Sequence, residues 1–319
     1  MDMRTLCQAF TDGKLDKRIY WQIMREKFLP MLEYKNLLRK CKQDVEIEIT
    51  KNDVLLNFNG IRIAFDYSQT FCRAEVILSM YGNPEQEDFD FMSRLLNSGD
   101  VILDIGGNVG LVSLLLLHDN PDIGEIYSFE PLPVTFEKMK KNLSLNGNPE
   151  KIHPVNIGMS NKSGSFDFYL PGADEAASMQ PNMDDYYMRE SIDGIYTGKK
   201  KMEKIVCQVS TIDDFIAQRK IKKVNFIKID VEGNEHNVLL GGADVLAKCK
   251  PIVYVEMLRK HAERFGYHPN DTIEYMNMLG YGCFALRHGK LVKFSYMDEN
   301  TRETNFFFVH KDKEILGMK

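Results

Sequence analysis

Val101-Ile102-Leu103-Asp104-Ile105-Gly106-Gly107-Asn108-Val109-Gly110, running straight into Leu111-Val112-Ser113-Leu114-Leu115-Leu116-Leu117, is the stretch whose reading decides the fold. A short apolar run carrying one acid predicts a buried strand, the glycines predict a tight turn, and the leucines predict a helix. Strand, turn and helix in that order make the first half of a βαβ nucleotide-binding unit. The turn must bend sharply and leave bare backbone beside a ligand, and glycine allows both. The helix then begins with N–H groups that have no partner of their own.

Downstream, the pattern alternates. Glu125 to Glu130 predicts a strand, Pro133 to Leu145 a helix closed by Asn146-Gly147, and Ile152 to Ile157 the next strand. Ser165 to Leu170 reads as a strand extending the sheet, and Ile205 to Val209 as another, with Thr211 capping a short helix. Val224 to Asp230 is a strand, Glu235 to Ala247 a helix, and Ile252 to Glu256 a strand. Asn270 to Leu279 is a helix, and Tyr281 to Leu286 and Asn305 to Val309 are the last strands. Strands separated by single helices predict a mostly parallel sheet covered on both faces. The final two strands lack an intervening helix, so one of them is free to run antiparallel.

Upstream, residues 5–41 predict helices, with Pro30 breaking an apolar stripe. From Val45 the period changes to two, and Asn52-Asp53 and Asn59-Gly60 mark hairpin turns. Pro84 to Leu96 is a helix leading to the focal strand. The expected organisation is a helical extension over 1–44, hairpins and a helix over 45–98, and the α/β domain over 99–319. The extension is expected to be structural or to pair two copies in a homodimer. Pro171 to Lys201 has no clean period and reads as a lid, with Tyr186, Tyr187 and Arg189 as acceptor contacts.

A balance of 41 Lys+Arg against 46 Asp+Glu, formally −5, argues against a nucleic-acid groove. Lys199-Lys200-Lys201 and Lys220, Lys222, Lys223 read as solvated surface. The six cysteines are scattered without a C-x-x-C pair, which fits reduced thiols. No apolar run is long enough to span a bilayer and Met1 to Gly13 has no signal core, so the expectation is a cytoplasmic protein.

Asp104, Glu130, Asp230 and Glu256 stand at strand ends, where the ligand crevice of an open α/β sheet lies. Glu130 falls about 20 residues after the turn, the position of an acid that takes a ribose diol. A dehydrogenase turn would place a glycine where Asn108 stands, and Asp104 at the turn would repel a pyrophosphate. A cationic, phosphate-free nucleoside suits the acids better, and S-adenosylmethionine is such a ligand.

Asp104-Ile105-Gly106-Gly107-Asn108-Val109-Gly110, Phe129-Glu130-Pro131 and Ile227-Lys228-Ile229-Asp230-Val231-Glu232-Gly233-Asn234-Glu235 together closely resemble the FkbM family of S-adenosylmethionine-dependent methyltransferases. Thr211-Ile212-Asp213-Asp214-Phe215 resembles that family's short helix before the Lys-Ile-Asp strand. The resemblance covers roughly Gly99 to Val309. It implies a class I methyltransferase, Rossmann-like sheet of seven strands with the last antiparallel, and methyl transfer to oxygen. Carried over residue by residue, it implies that Asp104, Gly106, Asn108 and Gly110 surround the methionine part and that Glu130 holds the ribose. Asn156, Gly158 and Ser160 would border the adenine, and Asp230 would lie beside the cofactor amino group.

A hydroxyl acceptor needs a base or a metal to lose its proton. Asp230, Glu232, His236, Glu256 and His261 are the candidate bases. Glu232 and Glu235 have a structural alternative as acids at a helix start. Asp230, Glu232 and Glu256 supply the oxygens a hard divalent cation takes, and no spacing forces one. The expected acceptor, by resemblance, is a sugar hydroxyl of a glycan or surface polysaccharide precursor, with a secondary-metabolite hydroxyl next. A nicotinamide-dependent oxidoreductase is the rival.

Overall fold

The computed structural model describes residues 8–9, 11–15, 19–20, 23, 46–49, 54–58, 60–65, 86–170, 177–181, 189–192, 195–199 and 202–313. The chain forms two compact units, Met1–Pro84 with Met183–Lys201, and Glu85–Asn182 with Met202–Lys319. In the first, β1 (Glu46–Ile49), β2 (Val54–Phe58) and β3 (Ile61–Phe65) form an antiparallel sheet in chain order. Between β2 and β3, where Phe58 pairs with Ile61, Gly60 takes a φ of 83°, as a tight hairpin requires. Most of the helical extension expected over 5–41, and the dimerising role given to it, lie outside the described residues.

The second unit opens with α1 (Gln86–Leu95), then β4 (Val101–Ile105), α2 (Leu111–Asp119), β5 (Glu125–Phe129), α3 (Pro133–Leu145) and β6 (Ile152–Val155). β7 (Gly158–Met159) and β8 (Gly164–Leu170) follow. The next two strands, β9 (Arg189–Ile192) and β10 (Ile195–Lys199), pair with each other in the first unit. They fall inside the expected lid; Tyr186 and Tyr187 lie outside the described residues. β11 (Glu203–Ser210), α4 (Ile212–Arg219), β12 (Phe226–Ile229), α5 (Glu235–Leu240) and α6 (Ala243–Cys249) come next. The chain continues through β13 (Ile252–Glu256), α7 (Arg259–Arg264), α8 (Pro269–Met278), β14 (Tyr281–Arg287), β15 (Lys290–Phe294) and β16 (Asn305–His310).

The main sheet has eight strands in the order β15-β14-β16-β13-β12-β4-β5-β6. β6, β5, β4, β12 and β13 run parallel, and β16 runs antiparallel between β13 and β14. With the edge strand β15 set aside, the order is third, second, first, fourth, fifth, seventh, sixth. That is the seven-stranded arrangement with an antiparallel last strand, and β15 adds an eighth by a hairpin through His288-Gly289. The chain winds outward from β4 to β6 and returns on the other side of β4 as β12. The switch point therefore falls between the ends of β4 and β12.

Successive residues of the central strands, Ile102 with Leu103 and Phe226 with Ile227, are wholly buried, so both faces are covered. On one face Phe91 of α1 meets Phe307 edge-on at 5.3 Å, and on the other Phe215 of α4 meets Phe129 at 4.8 Å. Among the described residues no helix is long and apolar enough to cross a membrane.

Three expectations are corrected. The strand expected over Ser165–Leu170 does not extend the main sheet; as β8 it pairs with β11, which also pairs with β7 in a separate sheet. The single helix expected over Glu235–Ala247 breaks at Gly241-Gly242. A Cβ on Gly241 would stand 2.1 Å from the Ser160 carbonyl oxygen, so a close backbone approach there overrides helix continuity. α7 has no counterpart among the expected elements, because a six-residue helix leaves too few turns to show a period.

Candidate active site

Gly106 begins the turn at a φ of 77°, and a Cβ there would lie 1.8 Å from the Asp230 carbonyl oxygen. Only a residue without a side chain lets the β4 turn and the loop after β12 touch in this way. The Gly106 and Gly107 amides both donate to the Phe129 carbonyl, at 3.1 and 2.8 Å, which pins the turn to the end of β5. Asn108 takes the left-handed conformation at φ 46°, which asparagine tolerates better than most residues. Asn142 Nδ2 donates to the Val109 carbonyl at 2.9 Å and braces the turn from α3.

Beneath the turn lies a buried charge group. Asp104 is 0 % exposed, and its Oδ2 accepts from the hydroxyls of Ser113 at 2.6 Å and Ser128 at 3.3 Å. Lys228, also buried, donates to the Gly106 carbonyl at 2.8 Å. Its Nζ stands 3.6 Å from Asp104 Oδ1 and 3.4 Å from Asp230 Oδ2. Asp104 therefore shapes the turn from below, whereas the Asp230 side chain is 42 % exposed and opens onto the rim. Asp104 Oδ1 makes no hydrogen bond, so Lys228 is its electrostatic partner at a distance.

Glu130 follows β5 directly and is 6 % exposed. Its Oε1 accepts the Leu132 amide at 2.9 Å, which fixes the carboxylate beside the glycine turn. Asn156 Nδ2 donates to the carbonyls of Glu130 at 2.8 Å and Pro131 at 3.1 Å, so this residue braces the Glu130 bend. Ser160 is buried where β7 meets β11 and Gly241, with its amide donating to the Ser210 carbonyl at 3.0 Å. Gly158 packs against Phe168, Val209 and Pro131. The Cys207 thiol, on β11, is pushed up to about 11, by burial first and then by the charge of Glu130.

The loop after β12 carries the other acids. Glu232 is left-handed at φ 59°, a conformation costing a non-glycine residue about 1–2 kcal/mol. Its Oε2 lies 3.0 Å from His261 Nδ1, a close approach at an angle outside that of a hydrogen bond. His261 is 9 % exposed on α7. The Glu232 carbonyl accepts from Ser178 Oγ at 3.0 Å and from Arg264 Nη2 at 3.3 Å.

His236 is placed elsewhere. Its Nδ1 lies 3.1 Å from Thr272 Oγ1, and its ring packs between Tyr267 and Tyr275 at 5.0 and 5.8 Å. Burial there holds the imidazole below its ordinary value, as expected of a histidine packed between α5 and α8. Glu256 closes β13 opposite Asn305 of β16. Among the described residues no group of three or more His, Cys, Asp or Glu is placed to hold a metal ion. A cation cage of Asp230, Glu232 and Glu256 is therefore not assembled. A cavity of about 460 Å3 lined by Asp100, Glu125, Tyr127, Arg219, Lys222 and Lys223 lies at the opposite, N-terminal ends of β4 and β5, away from these acids.

The residues at the switch point fit S-adenosylmethionine. Asp230 opens a carboxylate to the rim, Glu130 stands at the next strand end, and Lys228, the cation beneath the turn, is already held by two carboxylates and a carbonyl. Such a donor set favours a cationic nucleoside over a pyrophosphate.

Residues 104–283 match the family described as the methyltransferase FkbM domain. The chain belongs to the FkbM methyltransferase family. The FkbM match starts at the buried acid of β4 and ends within β14, so the glycine turn, Glu130 and the Asp230 loop all fall inside it. Methyltransferase 1 of Beauveria bassiana is 31 % identical over 147 residues, which is 44 % of this chain and 57 % of that protein. The 31-O-demethyl-FK506 methyltransferase FkbM of Streptomyces tacrolimicus is 26 % identical over 162 residues, covering 47 % of this chain and 62 % of its own length. The hexuronic acid methyltransferase AglP of Haloferax volcanii is 26 % identical over 195 residues, 60 % of this chain and 68 % of that protein. The chain thus spans somewhat over half the length of the first of these relatives.

Lys228 is a site residue that the sequence motifs alone did not single out, although a lysine between two isoleucines of a buried strand is itself a signal. Tyr267 and Arg264 carried no such signal, since their roles depend on α7 and α8 folding back over the loop.

Proposed function

We propose that this chain is an S-adenosylmethionine-dependent O-methyltransferase acting on a sugar hydroxyl of a glycan or polysaccharide precursor. The observation that carries the reading is the meeting, at one switch point, of the glycine turn, the fixed carboxylate of Glu130 and the open carboxylate of Asp230. Glu130 binds the ribose hydroxyls, and Asp230 attracts the ammonium. Gly106, Asn108 and Gly110 offer backbone to the methionine part, with Asp104 and Lys228 holding the turn. Asn156 and Ser160 border the adenine through the backbone they brace.

When bound, the cofactor supplies an electrophilic methyl carbon on a sulfonium. The protein's part is to align the acceptor oxygen with that carbon and to remove its proton. His261 is the base: with Nδ1 turned to Glu232, Nε2 remains to take the hydroxyl proton, and Glu232 stabilises the imidazolium that results. Asp230 flanks the same loop and is the alternative base. His236, packed against Thr272, and Glu256 are assigned structural roles.

The sugar acceptor is supported by the naming of the AglP relative for hexuronic acid, and the O-methyl chemistry by the FkbM relative as well. The FkbM relative also favours a second reading, a secondary-metabolite hydroxyl as acceptor. Calorimetry with S-adenosylmethionine, S-adenosylhomocysteine and NAD tests the cofactor: the first two are expected to bind, and NAD binding with no response to them would reverse the reading. His261→Asn is expected to keep S-adenosylhomocysteine affinity while lowering transfer of labelled methyl to uronic-acid-containing oligosaccharides by about a hundredfold or more.

A further inference from the structure

Glu235 is buried at the first position of α5, yet its side chain turns back to the loop that precedes it. Oε1 accepts the amides of Val231 at 3.1 Å and Gly233 at 2.9 Å, the two amides on either side of Glu232. Oε2 lies 3.2 Å from the Tyr267 hydroxyl, which also stands 2.9 Å from the Gly233 carbonyl and accepts the His236 amide at 3.4 Å. An acid that merely offset the helix macrodipole would face solvent at the helix start. This one is enclosed, and the backbone it grips is left-handed at Glu232.

We infer that Glu235 is a positioning residue whose buried carboxyl clamps the backbone on both sides of Glu232 and so presents Glu232 to His261. This rests on the reading of Glu232 and His261 as the proton-accepting pair. Ser178 and Arg264 hold the Glu232 carbonyl, and the clamp holds the amides on either side, so without it the left-handed φ of 59° at Glu232 loses two of its restraints.

The clamp has two proton arrangements, because the Tyr267 hydroxyl has one hydrogen and two acceptors in reach. With Glu235 ionised, that hydrogen goes to Oε2. With Glu235 protonated, the acid proton goes to the Tyr267 oxygen and the hydroxyl turns to the Gly233 carbonyl. Burial pushes the carboxyl up to about 7, the loop amides oppose it, and the charge of Asp230 adds to it. The other groups around the clamp are Tyr267 and Asp271 from the α8 side, His236 on α5, and Glu232 with His261 and Arg264 toward α7. Both arrangements keep Oε1 on the two amides, so the switch alters the Tyr267 end of the clamp.

Hydrogen exchange on the full chain tests this. In Glu235→Ala, the Val231 and Gly233 amides are expected to exchange about tenfold faster or more, the loss of one buried hydrogen bond each. The β12 amides of residues 226–229 should stay protected, and His261 should become more reactive to diethyl pyrocarbonate. Glu235→Gln, whose carbonyl oxygen still accepts both amides, should restore both readouts. Exchange at the His236 amide, which donates to the Tyr267 hydroxyl and is corrected for its intrinsic rate, should show a step near pH 7 in the native chain that Glu235→Gln lacks. Unchanged exchange in a folded Glu235→Ala, no rescue by glutamine, or a step that persists in Glu235→Gln would each overturn the inference. If Glu235→Ala does not fold, Glu235→Asp, whose shorter side chain withdraws the carboxylate from both amides, takes its place in the same exchange comparison. S-adenosylhomocysteine calorimetry on the native chain reports separately on the cofactor reading, so failure of one is not failure of the other.

Discussion

At the scale of single residues, the site is a set of charges at graded depth. Asp104 and Lys228 are sealed below the turn, Glu130 is fixed at its edge, and Asp230 is half open. Lys228→Met would leave the Asp104 carboxylate buried without a counter-charge, and removing one partner of a buried pair costs about 3–5 kcal/mol. Urea denaturation is expected to show a loss of that order. Adding Asp104→Asn should recover part of it, since the two residues interact. Glu130→Ala is expected to weaken S-adenosylhomocysteine binding by about 1–3 kcal/mol in calorimetry, through lost hydrogen bonds to the ribose. Glu130→Gln keeps an acceptor for the Leu132 amide at 2.9 Å, so it should retain the fold while still losing affinity. Native affinity in Glu130→Gln would count against the ribose assignment.

Between elements, close backbone approaches set the geometry more than side-chain volume does. The break between α5 and α6 exists because Gly241 lets the helix corner rest on the Ser160 carbonyl. Gly241→Ala would drive a methyl to 2.1 Å from that oxygen, against backbone that cannot step aside cheaply. A loss of about 1–3 kcal/mol in thermal or urea unfolding is expected, as for overpacked cores. Gly242→Ala is the control, since its nearest neighbour is the flexible Ile212 Cδ1 at 3.0 Å. An equal loss in both variants would mean that helix propensity, not the approach to Ser160, decides the break.

For the whole molecule, Glu235 gives stability a pH dependence with a defined sign. A carboxyl pushed up in the folded state, here to about 7, favours the folded chain while both states are protonated. That contribution is present below the ordinary glutamate range and is lost as pH rises through about 7. Its full size is about 3 kcal/mol, at about 1.36 kcal/mol for each pH unit between the ordinary and the raised value. The melting temperature of the native chain should therefore fall relative to Glu235→Gln between about pH 4.5 and 7.5, and the two curves should run parallel above that range. Parallel curves throughout would show that Glu235 titrates at its ordinary value.

Much of this molecule is legible in the sequence where the signal is local. The run from Val101 to Leu117 predicts strand, turn and helix, and the alternation after it predicts a parallel sheet with an antiparallel strand near the end; the structure has both. Acids that directly follow or close apolar runs, such as Glu130, Asp230 and Glu256, sit at strand ends for the same reason. Depth and partnership are different quantities. Lys228 reaches the Gly106 carbonyl across 122 positions of chain, and Tyr267 reaches Glu235 across 32. The strand β8 reads like a continuation of the sheet because its alternation is the same whichever neighbour it pairs with. The sequence by itself determined the order of strands and helices and the turn between β4 and α2, because period and glycine placement act within a few residues. Only the tertiary structure decided which acid is buried, which is open and which histidine meets Glu232, because those follow from how distant elements pack together.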